Sequence, residues 1–168
     1  MRHGQVSQEA RRGREFEAFV AGAGGRLLHA ATLLTAETPG DNPRARRLLI
    51  HALAQTYADW NRLRGEDPYD RARRHLATRF AHHAWRHQLG GLLHPRTDPS
   101  GPLARLSPQE RLVLVLRLYE GVAEEQTAAL LGLSTERVRA ICLRAITAVL
   151  RPPPGPAPAV GGVKAVSS

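Results

Sequence analysis

The stretch LSPQERLVLVLRLYEGVAEEQTAALLGLSTERVRAICLRAITAVL, residues 106–150, leaves the fewest choices open. It reads as three helices separated by two tight turns. Ser107 suits an N-cap, Pro108 the first helical position, and Glu110 completes a Ser-x-x-Glu capping box. Leu112, Val113, Leu116 and Tyr119 then recur at helical spacing until Gly121 stops the run. A short second helix is expected over 124–131, with Gly132 at the left-handed position that ends it. Ser134 caps a third helix whose buried side is Val138, Ile141 or Cys142, Ala145 and Val149. A short helix, a Gly turn and a capped helix bearing Arg137, Arg139 and Arg144 make a helix-turn-helix pattern. A helical bundle used for dimerisation would share the caps and the period. The Gly turn, the Ser cap and the early Arg residues together favour DNA, with Ser134, Thr135, Glu136, Arg137, Arg139, Ala140 and Arg144 as the DNA-binding set.

These residues resemble region 4 of bacterial RNA polymerase sigma factors of the sigma-70 family, extracytoplasmic-function type. Leu106-Ser107-Pro108 is similar to the usual opening, and residues 113–120 to the first helix. Residues 129–134 are similar to the turn, and Val138, Arg139, Arg144 and Ala145 to the third helix. LuxR-type regulators carry a related helix-turn-helix. The third helix departs from the pattern: where the family usually has Lys-Ser-Arg-Leu, this chain has Arg139-Ala140-Ile141-Cys142. A hydroxyl and a cation that commonly help hold promoter DNA are missing.

Length and charge fit that direction. A chain of 168 residues holds one ordinary domain or two small helical ones. The formal net charge is +9, carried almost wholly by Arg. An excess of this size favours polyanionic partners, nucleic acid before membrane. The single cysteine, Cys142, excludes an intramolecular disulfide and fits a reducing cytoplasm. No apolar run approaches a membrane span and no signal-peptide core stands at the start, so a soluble cytoplasmic protein is expected.

Ahead of the helix-turn-helix, residues 1–13 are polar and Arg-rich, expected as a flexible basic arm. Residues 14–36 carry an apolar stripe through Phe16, Phe19, Val20, Leu27, Leu28, Ala31 and Leu34, thinned by three glycines. After a turn-rich break, a second helix is expected over 44–63, with Leu49, Leu53, Tyr57 and Trp60 as its buried face. Asp67-Pro68 opens a third, to residue 89, packed through Ala72, Leu76, Phe80 and Ala84. The expected fold is all-α, two small helical domains, 14–89 and 105–151. A flexible linker over 90–104 joins them, and a Pro/Gly-rich disordered tail occupies 152–168.

The first domain also resembles sigma factors, namely region 2 of the SigE-type subgroup. The resemblance rests on Phe16-x-x-Phe19-Val20, Leu33-Leu34-Thr35, residues 52–60 (ALAQTYADW) and Asp67-Pro68. It implies that region 2 holds the polymerase clamp and reads the promoter −10 element, and that region 4 reads the −35 element and contacts the polymerase flap. The partners it implies are promoter DNA and core RNA polymerase, and it admits an anti-sigma factor. One segment departs sharply. Where the family usually has Asp-Ala-Glu-Asp-Leu-Val-Gln-Glu, this chain has Arg44-Ala45-Arg46-Arg47-Leu48-Leu49-Ile50-His51. Arg44, Arg46, Arg47 and His51 thus put positive charge where the core polymerase interface expects acids, and like charges at an interface cost several kcal/mol.

On the third helix, Arg71, Arg73, Arg74, Arg79 and Arg86, with Trp85, offer cations and an aromatic to the −10 region or to phosphates. A core Trp85 beside a solvated Arg face is the competing expectation. His75, His82, His83 and His87 lack the Cys or acidic neighbours of a metal site, so no metal and no cofactor are expected. Nothing in the chain has the spacing of a catalytic motif, and no enzyme is expected. The function expected is transcription initiation: a sigma-like factor directing RNA polymerase to promoters. A diverged sigma-like regulator, binding DNA or a transcription protein without normal core binding, is the alternative; a helical interaction module that binds no DNA is a third.

Overall fold

Six α-helices make up the described chain: α1 (Arg2–Thr35), α2 (Pro43–Asp59), α3 (Pro68–Leu89), α4 (Pro108–Leu114), α5 (Glu124–Leu131) and α6 (Thr135–Leu150). A 3-10 turn, Trp60–Arg62, extends α2, and a π-helical turn, Val115–Tyr119, extends α4. The computed structural model describes residues 2–89 and 100–151, and side chains from 5 to 86 and from 100 onward. Most of the expected linker and the whole Pro/Gly-rich tail lie outside those residues. The described chain is all-α apart from one isolated bridge, Thr38 to Asp41. None of its helices is long and apolar enough to cross a membrane.

The first helix starts well before the expected residue 14. Residues 2–13, read as a basic arm, are its opening turns. An Arg11–Glu15 pair at 2.8 Å supports this end, and Arg12 lies 4.0 Å above the Tyr57 ring while donating to the Tyr57 carbonyl. Phe16 meets Tyr57 and Trp60 edge-on, at 4.9 and 5.2 Å between centroids. These tertiary contacts outweigh the propensity cost of the glycines.

The second helix is rotated from its expected orientation. Its buried residues are Ala45, Leu48, Ala52 and Thr56, one step from the expected Leu49, Leu53, Tyr57 and Trp60. Small residues let α2 approach both α1 and α3 closely, and Thr56 returns its hydroxyl to the Ala52 carbonyl at 2.8 Å. The aromatic pair instead serves the N-terminal half of α1. Glu37, buried in the α1–α2 connection, caps α2 by accepting from the Arg44 and Ala45 amides at 3.1 and 2.8 Å. On α3 the buried line is Ala72, Leu76, Ala77, Phe80 and Ala81.

In the second domain the capping box at Ser107 and Glu110 forms as its sequence predicts. Gly132 takes φ +65°, and Ser134 Oγ accepts from the Arg137 amide at 3.2 Å. Val138, Ile141 and Ala145 are the buried face of α6; Cys142 is half-buried and Val149 is exposed, not buried as expected.

The two domains are docked. One hydrophobic cluster runs from Ala30 and Leu34 through Leu76 to Val113, Leu116 and Ile141. At its edge the buried Arg111 guanidinium donates from Nε to the Leu34 carbonyl and from Nη1 to the Leu106 carbonyl, both at 2.8 Å. Glu120, its side chain 1% exposed, accepts from the Tyr69 hydroxyl at 2.9 Å and from Arg26 at 3.3 Å. The end of the expected linker is fixed as well. Ser100 and Gly101 donate to the Ala36 carbonyl, and a Cβ on Gly101 would stand 2.4 Å from the Glu37 carbonyl oxygen. Residues 100–104 therefore belong to the packed body.

Candidate nucleic-acid interface

The turn at Gly132 swings α6 across α5 and leaves one long side of α6 open. With Val138, Ile141 and Ala145 turned inward and about 100° between successive residues, the outward line is Glu136, Ala140, Leu143 and Thr147. All four are exposed. Arg139 lies on the flank of that line nearest α5, and Arg137 and Arg144 lie on the other. The three cations meet different surroundings. Arg137 is exposed, and no acid pairs with its guanidinium among the described residues. Arg144 stands 3.9 Å from Glu110 on α4. Arg139 donates from Nη2 to Glu124 Oε1 on the first turn of α5, at 2.6 Å. Glu136 has its carboxyl held below the usual range by its own backbone N–H, helped by the hydroxyls of Thr135 and Ser134. Ser134 spends its Oγ as the helix cap.

The first domain offers a second basic surface, the crevice between α2 and α3. It encloses about 450 Å³ and is lined by His51, His75, Thr78, Arg79, His82 and Arg86 among others. Arg79 approaches His51 Nε2 at 3.4 Å, and His75 pairs with Asp59 at 3.1 Å. Trp85 is 45% exposed, which removes it from the core and leaves its ring open for stacking. Arg74 and Arg86 are exposed, whereas Arg71 is tied to Glu66 at 2.8 Å and Arg73 to Asp70 at 2.9 Å. The six α3 candidates therefore divide. Arg74, Arg79, Trp85 and Arg86 are presented outward, and Arg71 and Arg73 hold the fold. Thr78 also lines the crevice, and a lone Thr inside an Arg-rich helix gives no sign of that position in the sequence. No three His, Cys, Asp or Glu side chains group as metal ligands among the described residues.

The four residues of the inverted segment also differ. Arg44 is half-buried, 3.1 Å from Glu37 and 3.0 Å from the Thr35 carbonyl. Arg46 is exposed and leans on Asn42 at 3.0 Å. Arg47 and His51 are exposed, with Ile50, 66% exposed, between them. The outer face of α2 is cationic with an apolar centre.

Residues 103–149 match the sequence profile of sigma-70, region 4. The RNA polymerase sigma-E factor of Streptomyces coelicolor is 30% identical over 149 residues, covering 79% of this chain and 82% of that protein. The chain belongs to the sigma-70 family of RNA polymerase sigma factors. No solved structure gives a significant match. As a sigma-type transcription initiation factor the chain binds DNA, and α4 to α6 are its region 4. Promoter DNA and core RNA polymerase are the partners the sigma family implies.

Proposed function

We propose that this sigma factor directs RNA polymerase to promoters with α6 in the major groove of the −35 element and the α2–α3 surface near the −10 element. The observation that carries this reading is the open side of α6, flanked by Arg137, Arg139 and Arg144 and preceded by the Gly132 turn. Cations flanking a groove-facing line can reach phosphates on either side, and one near the line can reach base edges. On α3, Arg74, Arg79 and Arg86 supply phosphate contacts and Trp85 a stacking surface for an unpaired base. Footprinting of the full chain with core polymerase tests this. Protection over the −35 element should vanish for the Arg137→Ala/Arg139→Ala double variant, and protection unchanged in that variant would refute it.

A second reading, a regulator with weakened core binding, is favoured by the outer face of α2. Arg46 and Arg47 present positive charge there, beside His51, and no acid stands on the helix before Asp59. Pull-down with native core polymerase decides between the two. If Arg46→Glu/Arg47→Asp strengthens binding, with a gain that shrinks as salt screens the charges, the second reading holds. Tight, salt-sensitive binding by the wild type that the acids abolish excludes it.

A further inference from the structure

We infer that Glu124 is a positioning residue for promoter recognition: its carboxylate fixes the Arg139 guanidinium at the edge of the groove-facing line, which makes Arg139 the base-reading cation of α6. The inference rests on the reading of α6 as the groove-entering helix.

Three arginines on one helix meet three different surroundings. Arg137 is open to solvent, and Arg144 has only a distant acid, at 3.9 Å. Arg139 alone has a short, charge-assisted bond, 2.6 Å to Glu124 Oε1. Glu124 is mostly buried, with 16% of its side chain exposed, while Arg139 keeps 64% exposed. The anchor is thus fixed and the cation presented. Holding one Nη leaves the rest of the guanidinium edge free, and a planar fork of N–H donors is what base edges accept from Arg.

Helix geometry places the same residue correctly. Arg139 and Arg144 flank the line of Glu136, Ala140, Leu143 and Thr147 at similar angles on opposite sides, with Arg137 further round. Arg139, however, stands more than a turn nearer the N-terminal end of α6, the end that reaches base edges in a helix-turn-helix. Ala140 and the acid Glu136 on that line supply no cation themselves, which leaves Arg139 as the cation beside its N-terminal part and Arg144 a turn further along. A long, flexible Arg that must order itself on binding loses affinity to side-chain entropy, and an acid that orders it beforehand removes part of that loss. A plain α5–α6 clip would also pair these residues, but it would have no effect on which base is preferred.

Selection of bound duplexes from a randomised pool, by the full chain and its variants, separates the two. Arg139→Ala should relax preference at one or two base positions by about tenfold. Glu124→Gln keeps the length and one acceptor oxygen, and should relax the same positions by a smaller factor, without shifting others or lowering the melting temperature. The double variant should be no more relaxed than Arg139→Ala alone. Arg137→Ala should weaken all sequences alike and reduce the salt dependence by about one unit. Unchanged base preference in Glu124→Gln beside a relaxed Arg139→Ala would overturn the role of Glu124 while leaving α6 in the groove. Independent, additive effects of the two substitutions would overturn it as well. Undiminished binding by the Arg137 and Arg139 variants would overturn the α6 reading and this inference with it.

Discussion

At Glu37 two opposing influences meet. Burial pushes its carboxyl up, but the amides of Ala45 and Arg44, the Thr35 hydroxyl and the Arg44 guanidinium outweigh it and hold it below the usual carboxylate range. A carboxyl whose pKa is lowered by folding stabilises the protein above its unfolded value, about 4.3. That stabilisation is lost as pH falls through the lower folded value. Glu37→Gln should therefore cost about 2–4 kcal/mol at pH 7. The gap to wild type should narrow as pH falls below about 4, measured by urea unfolding across pH. From the sequence, Arg44 has the look of a surface cation facing a partner. Its bonds to Glu37 and to the Thr35 carbonyl tie it to the fold, because an acid seven residues upstream returns across a turn that spacing alone does not reveal. Arg139 carries the same lesson for DNA. Its sequence marks it as a recognition cation, but its anchor is fifteen residues away on another helix.

Among the elements, those defined by local chemistry were the most legible. The Ser107 box, the Gly132 turn, the Ser134 cap and the buried triad of Val138, Ile141 and Ala145 all follow from short-range rules. Gly132 at φ +65° makes the turn testable: Gly132→Ala should cost about 1–2 kcal/mol, since a Cβ is disfavoured in the left-handed region. A melting temperature unchanged in that variant would show that the turn relaxes elsewhere. Helix α2 was less legible because large residues mark a stripe more loudly than small ones. Leu53, Tyr57 and Trp60 drew the expected face, while Ala45, Ala52 and Thr56 make the close contact. The helical start at 2–13 is hidden in the sequence for a related reason. What orders it is distant, the Tyr57 ring and carbonyl under Arg12, and an Arg-rich segment shows no sign of such a partner.

At the scale of the whole molecule, the docking of the two domains was the least legible feature, since charged residues carry much of it. Arg111 and Glu120 look like surface positions in a helical pattern, yet both are buried at the junction. Burial and the neighbouring Glu120 carboxylate push the Tyr69 hydroxyl well above the usual phenol range. A group raised by folding supports stability below its unfolded pKa, about 10, and withdraws it as pH climbs past that value. The docked state should loosen above about pH 10, and Tyr69→Phe should lack that alkaline limb. Docking also bears on promoter reading. The −10 and −35 elements are about 25 base pairs apart, roughly 85 Å of duplex at 3.4 Å per step. A compact chain of this length has a radius of gyration of about 15 Å. Contact with both elements at once requires the domains to part, so energy transfer between dyes on α2 and α6 should fall when promoter DNA and core polymerase are added together. The most direct test of the sigma-factor assignment is run-off transcription with the native core enzyme, on a template carrying the selected sequence. Transcripts should appear with the wild-type chain and disappear with the Arg137→Ala/Arg139→Ala variant. Core enzyme that starts equally well with and without the chain would contradict it.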